Sequence, residues 1–237
     1  MLVSYLTDKG PIRKNNEDFY FVNTDKKIFV VADGMGGHQA GEIASRVAVE
    51  QVIEVLSSGG SISTELFERA FVAANEKVLE MGKQNHDYQG MGTTMSAGAI
   101  FAEKLLLAHV GDSRVYLLRN GKIEALTKDH TVVEEMMDKG EISARSAEEH
   151  PYRHMLLRAI GAEKNIKVDL SEFILKKNDY LLFCTDGLCG ILKDEQIQKI
   201  IFANGEDVHK SVAELFDAAI HQGSTDNITM VLIFLND

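Results

Sequence analysis

The feature that most constrains this chain is that its apolar runs meet acids at their ends. Phe29-Val30-Val31-Ala32 leads into Asp33-Gly34, and Leu181-Leu182-Phe183-Cys184-Thr185 leads into Asp186-Gly187. The polar loop Ser224-Thr225-Asp226-Asn227 opens onto the apolar run 228–235. Carboxylates at the tips of buried strands, unlike acids scattered over a solvated face, form a rigid hard-oxygen cluster suited to divalent cations such as Mg2+ or Mn2+. The pattern predicts a metal enzyme.

A chain of 237 residues can build one substantial core, and no Pro-, Ser- or Gly-rich linker divides it, so a single domain over 1–237 is expected. Hydrophobic content of 45% beside 26% charged residues is that of an ordinary globular protein, so disorder does not explain the polar stretches. The net charge of -11 opposes attraction to nucleic acid or to an anionic membrane surface, and neither is expected as a partner. A phosphorylated ligand would need a local basic contact against that background, which draws attention to Arg13. The first residues lack the pattern of a signal peptide and no apolar run is long enough to span a bilayer, so a cytoplasmic location is expected. Cys184 and Cys189 match neither a disulfide framework nor paired zinc ligands and read as reduced core thiols.

Strands are predicted at 2–7, 18–23 and 28–33, the last two joined as a hairpin through the polar turn at 24–27. Ile43, Val47, Val52 and Leu56 recur at helical spacing, as do Leu66, Ala70, Phe71, Ala74 and Val78, with Gly59-Gly60 between the two helices. Strands return at 93–101, 105–110, 115–119 and 122–126, read as a meander with Asn120-Gly121 as a two-residue hairpin turn. The segment 131–158, rich in Glu, Met, Lys and His, reads as a helical insertion or flap that closes at Gly161. Strands at 166–173, 180–185 and 227–235, and helices at 195–202 and 208–222, complete the pattern, with Asp194 as N-cap and Gly223 as helix stop. Strand groups with helix pairs between them argue for α+β packing, helices covering sheet faces.

Arg13, Glu17 and Asp18 lie just ahead of an apolar strand. They belong either to one sheet end or to a solvated turn. Arginine can hold phosphate through two parallel hydrogen bonds from a planar group. In Asp33-Gly34-Met35-Gly36-Gly37-His38 the glycines let the backbone bend, so that the Gly34 carbonyl can turn toward a cation held by Asp33. A simple glycine-rich turn into a helix is the alternative. The loop carries no P-loop ending and no dinucleotide fingerprint. Asp112, in Val110-Gly111-Asp112-Ser113-Arg114, and Asp186 repeat the design of strand, acid and small residue. A single such acid could be a turn former or a cap.

Taken in order, the motifs are Asn16-Glu17-Asp18 after Arg13, Val31-Ala32-Asp33-Gly34-Met35-Gly36-Gly37-His38, Gly90-Met91-Gly92-Thr93-Thr94, Ala108-His109-Val110-Gly111-Asp112-Ser113-Arg114, Asp129-His130, the run 157–161, Cys184-Thr185-Asp186-Gly187-Leu188 and Asp226-Asn227-Ile228-Thr229. This set resembles the metal-dependent serine/threonine protein phosphatases of the type 2C family, particularly the compact bacterial members, over nearly the whole chain. The resemblance implies an αββα sandwich, two antiparallel sheets flanked by helix pairs on both faces, with a two-metal site at one end. It implies that Asp33 bridges the ions, that Glu17 and the Gly34 carbonyl serve one, and that Asp186 and Asp226 serve the other. Asp112 with Asp186 is the matching pair for a third ion, Arg13 matches the phosphate-binding position, and 131–158 matches a mobile flap beside the site. Many eukaryotic relatives carry a His directly after Asp-Gly that is proposed as general acid. Met35 stands there in this chain, which leaves the proton donor open, with His38 nearby in sequence.

The implied chemistry is hydrolysis of phosphoserine and phosphothreonine on proteins by direct in-line attack of a metal-bound water or hydroxide, with no phosphoenzyme. The expected substrates are phosphoproteins made by a serine/threonine kinase, and the expected state is a monomer. Cysteine-phosphatase chemistry fits poorly, because Cys184 sits within a strand with no phosphate-cradling loop ending in Arg. A non-catalytic phosphoprotein-binding module is the rival of a different class. Retention of Glu17, Asp33, Asp112, Asp186 and Asp226 argues against it.

Overall fold

The computed structural model describes residues 1–37 and 40–236. In chain order the strands are β1 (Leu2–Asp8), β2 (Asp18–Asn23), β3 (Ile28–Met35), β4 (Gly92–Thr93), β5 (Met95–Phe101), β6 (Lys104–Val110), β7 (Arg114–Arg119), β8 (Lys122–Ala125), β9 (Asp169–Ile174), β10 (Tyr180–Cys184) and β11 (Ile228–Phe234). The helices are α1 (Ala40–Ser58), α2 (Thr64–Gln84), α3 (Val132–Asp138), α4 (Ala144–Glu148), α5 (Asp186–Cys189), α6 (Asp194–Asn204) and α7 (Val208–His221).

The central strands read as unbroken apolar runs because both of their faces are covered. Alternate side chains of a strand point to opposite faces. From β3, Phe29 and Val31 enter the layer between the sheets, while Ile28, Val30 and Ala32 meet α1 and α2. From β11, Val231 and Ile233 face inward, and Met230, Leu232 and Phe234 pack against α6 and α7. One sheet has the order β1-β11-β10-β7-β8 and the other β2-β3-β5-β6-β9, with the short β4 pairing to the end of β3. All of the pairs are antiparallel. The result is the expected helix-sheet-sheet-helix sandwich. Among the described residues no helix is long and apolar enough to cross a membrane.

Four details differ from the sequence reading. The strands from 93 to 126 are not one meander, since β5 and β6 belong to one sheet and β7 and β8 to the other. The chain crosses between sheets at Gly111-Asp112-Ser113, where Gly111 has φ of +108° and a Cβ would lie 2.4 Å from Thr94 Cβ. The predicted strand 93–101 is interrupted at Thr94, whose hydroxyl is drawn to Ser113 Oγ at 2.7 Å. The flap is helical only in the two short helices α3 and α4, the remainder being turns. Asp194 is the first residue of α6 and not its cap. By contrast, Asn120 and Gly121 both take positive φ, 51° and 75°, as the hairpin turn requires.

Candidate metal centre

Antiparallel pairing sets which strand ends meet, and the acid-bearing ends fall at the same edge of both sheets. Asp18 opens β2 directly opposite Asp33 on β3. Asp186 follows the end of β10, where Cys184 pairs with both Arg114 and Met230, and Asp226 immediately precedes β11. Asp112 lies in the crossing from β6 to β7.

Each acid is held by its backbone. Asp33 N donates to Thr94 Oγ1 at 3.0 Å, and its carbonyl accepts from Thr93 Oγ1 at 2.8 Å. This explains the Gly92-Thr93-Thr94 motif as a brace for Asp33. Glu17 O accepts from Gly34 N at 3.1 Å and from Ser45 Oγ at 2.6 Å, while Glu17 N donates to Asn227 Oδ1 at 2.8 Å. Asn227 Nδ2 also donates to the carbonyls of Lys9 and Asn15. A single amide therefore fastens the loop carrying Arg13 and Glu17 to the start of β11. At the head of α1, a Cβ on Gly41 would lie 2.8 Å from Gly34 O and 2.9 Å from Glu17 Oε1. Only glycine leaves room for these two oxygens on the same side of the helix.

The electrostatics are those of anions forced together. Asp33 is held well above the ordinary carboxylate range by burial, then by Asp18, Asp186, Asp112 and Asp226. Burial raises Asp18 to about 7 despite hydrogen bonds from Thr229 and Thr185, with Asp186 and Asp226 adding repulsion. Asp112 rises to about 8 through burial, Asp186 and Asp129. Burial and Asp226 also raise Asp186, and burial raises Glu17, which Arg13 partly offsets. The structure brings all of Glu17, Asp18, Asp33, Asp112, Asp186 and Asp226 into this one neighbourhood. Arg13 joins them, its Nη2 donating to Asp226 Oδ2 at 2.7 Å. His38 lies outside the described residues. From the flap, His154 Nδ1 reaches to 3.9 Å from Asp186 Oδ2.

Among the described residues no three His, Cys, Asp or Glu side chains stand close enough together to enclose an ion, so the cluster is an open one. Its residues nevertheless fit a divalent cation. The donors are all hard oxygens. Asp18 Oδ1 and Asp186 Oδ1 are buried with no hydrogen-bond partner. A buried anionic oxygen without a partner is costly, and a cation removes that cost.

Sequence reasoning missed the bracing roles of Asn227, Ser45, Gly41 and Ser113. Asn227 and Ser113 stood inside quoted motifs, but a bracing role depends on partners up to 218 residues away, as for the bond from Asn227 to Lys9. Nothing in the local sequence signals such a partner.

A helix-flanked double sheet with acids and an arginine at one end defines a class, and comparison assigns it. The family profile described as protein phosphatase 2C matches residues 13–232, and the chain belongs to that family. It is 36% identical to the serine/threonine phosphatase stp of Listeria innocua, across 100% of this chain and 96% of that protein. It is 34% identical to the protein phosphatase PhpP of Streptococcus pneumoniae, across 100% and 98%. The crystal structure of the Mycobacterium tuberculosis serine/threonine phosphatase PstP/Ppp superposes with a TM-score of 0.92 at 32% identity, covering 100% of this chain and 99% of that one. A PstP catalytic domain in complex with two manganese ions superposes with a TM-score of 0.88 at 31% identity, covering 99% and 98%.

Proposed function

We propose that the acid cluster is a two-cation centre. Asp33 would serve both ions, Glu17 and the Gly34 carbonyl would serve one, Asp186 and Asp226 would serve the other, and Asp112 with Asp186 would form a third position. The chain hydrolyses phosphoserine and phosphothreonine on proteins, the products of serine/threonine kinases. Mn2+ or Mg2+, when bound, supplies positive charge against the phosphate oxygens and lowers the pKa of water enough to give a nucleophile near neutral pH. Arg13 orients the phosphate: one of its five N–H donors is engaged with Asp226, and the planar group offers the rest as a fork. Asp18 holds the Thr185 hydroxyl on Oδ2 at 2.8 Å and supplies a bare acceptor on Oδ1 beside the ligands. All of these groups come from one chain, which supports a monomeric enzyme. The two free buried thiols support a reducing compartment, the cytoplasm.

The observation that carries this reading is the unpartnered Asp186 oxygen, buried among acids contributed by both sheets. The test is hydrolysis of a phosphothreonine peptide with Mn2+ or Mg2+, with and without chelator, beside Asp33→Asn and Asp226→Asn. Activity indifferent to the chelator and to both substitutions would rule it out. The flap, reaching Asp186 through His154, tunes substrate preference. Its deletion should alter relative rates on different phosphopeptides, and unchanged ratios would count against that role.

A further inference from the structure

Two motifs in the sequence, Asp129-His130 and the run 157–161, supply none of the clustered acids described above, although Asp129 adds negative charge near Asp112, and the fold brings His130 into contact with the run 157–161. His130 N donates to Gly111 O at 2.8 Å, and Gly111 N donates back to His130 Nδ1 at 3.1 Å. A neutral imidazole carries its proton on the nitrogen that does not accept, so Nε2 donates to Asp169 Oδ2 at 3.1 Å. Arg158 Nη1 clamps the other oxygen, Asp169 Oδ1, at 2.7 Å. Both flap stems meet the same residue. His130 O accepts from Leu157 N at 2.7 Å, and Thr131 bridges to Leu156. His130 is 5% exposed, and its ring lies against that of His109 with centroids 4.7 Å apart. Gly111, gripped at both its N–H and its C=O, is the residue before Asp112. Its φ of +108° and the 2.4 Å at which a Cβ would meet Thr94 mean that only glycine fits at this crossing.

We propose that His130, held by Asp169 and Arg158, is a positioning residue for Asp112: it fixes the peptide from which that carboxylate enters the cluster and so sets how tightly a cation is held there. The inference rests on the reading of Asp112 as a cation ligand. Groups that orient a ligand in this way typically change metal affinity by about 10- to 100-fold when removed.

The experiment is Mn2+ binding to the full chain, followed by calorimetry and by counting free Mn2+ in its spin-resonance spectrum. Asp112→Asn identifies the class of bound Mn2+ that depends on this carboxylate. Arg158→Ala and Asp169→Asn should each weaken that class by about tenfold or more and leave the other classes unchanged. Arg158→Lys keeps a cation on Asp169 and should recover most of the loss. Adding Arg158→Ala to Asp112→Asn should cost nothing further. Arg119→Ala breaks another Arg–Asp pair at the far end of the sheet and should lower the unfolding temperature without touching Mn2+ binding. Wild-type Mn2+ binding in Arg158→Ala and Asp169→Asn, with a class missing in Asp112→Asn, would overturn the positioning role and leave the ligand reading intact. A full Mn2+ complement in Asp112→Asn would overturn the ligand reading and this inference with it. An equal loss in Arg119→Ala would reduce the effect to general destabilisation and overturn the inference too.

Discussion

Asp179 and Asp18 are aspartates withdrawn from water at opposite ends of the sandwich, and the fold treats them in opposite ways. Asp179, 0% exposed, receives Arg119 Nε at 2.7 Å, Arg119 Nη2 at 2.6 Å and Lys176 N at 2.7 Å. Asp18, 6% exposed, has one oxygen engaged by Thr185 and the other bare, and its neighbours are further acids. Burial of a carboxylate is therefore not in itself a mark of function. The satisfied one is a staple, and the unsatisfied one lies in the acid cluster proposed to hold cations.

The largest test of that contrast is Asp33→Asn. If Asp33 serves both ions as proposed, its loss should lower Mn2+-dependent hydrolysis of a phosphothreonine peptide by on the order of 10³-fold, the equivalent of several kcal/mol of transition-state stabilisation. The metal-free protein should unfold at the same or a higher temperature, because one member of a repelling set is gone. A drop in its unfolding temperature would break the comparison. At the far end, Asp179→Ala removes the acceptor of Lys176 N and of a largely solvated Arg119 and should cost about 1–3 kcal/mol in urea unfolding, with turnover per folded molecule unchanged.

Arg13→Ala sharpens the site end. It should raise KM for the phosphopeptide by about tenfold to a hundredfold through loss of charge-assisted hydrogen bonds, and Arg13→Lys should recover only part. Steady-state kinetics would show this, and an unchanged KM would remove Arg13 from phosphate binding. The smallest expected effect is on pH. Asp18 near 7 and Asp112 near 8 in the metal-free fold stand above the ordinary value of about 3.9. Between those limits the folded chain binds more protons than the unfolded one, so its stability falls as pH rises from about 4 to about 8. Thermal unfolding in chelator should show that decline, and added Mn2+ should flatten it. A metal-free protein that gains stability over that range would contradict the crowding of acids.

Much of this was legible along the chain because its cause is local. Leu66, Ala70, Phe71, Ala74 and Val78 recur at helical spacing, and all five are buried on α2. Asn120-Gly121 can supply two consecutive positive φ values, and does. The crossing at Gly111-Asp112-Ser113 was not legible. β6 and β7 each have the apolar pattern of a covered strand, and nothing in either run says that they belong to different sheets. Thr94 has the residue type of a strand, but its hydroxyl is committed to Ser113, and the ladder breaks there. The contact between His130 and Asp169 likewise joins residues 39 apart through a fold that neither motif announces.

The order of residues by itself determined the element types, the both-faced burial of the central strands and the chemistry on offer, because propensity, periodicity and donor type are properties of short segments. Tertiary structure alone decided that six acids and one arginine share a single strand-end edge, which of their oxygens go unsatisfied, and that His130 at the flap base grips Gly111. Those outcomes depend on which strands pair and in what register, and pairing is set by the packing of the whole sandwich.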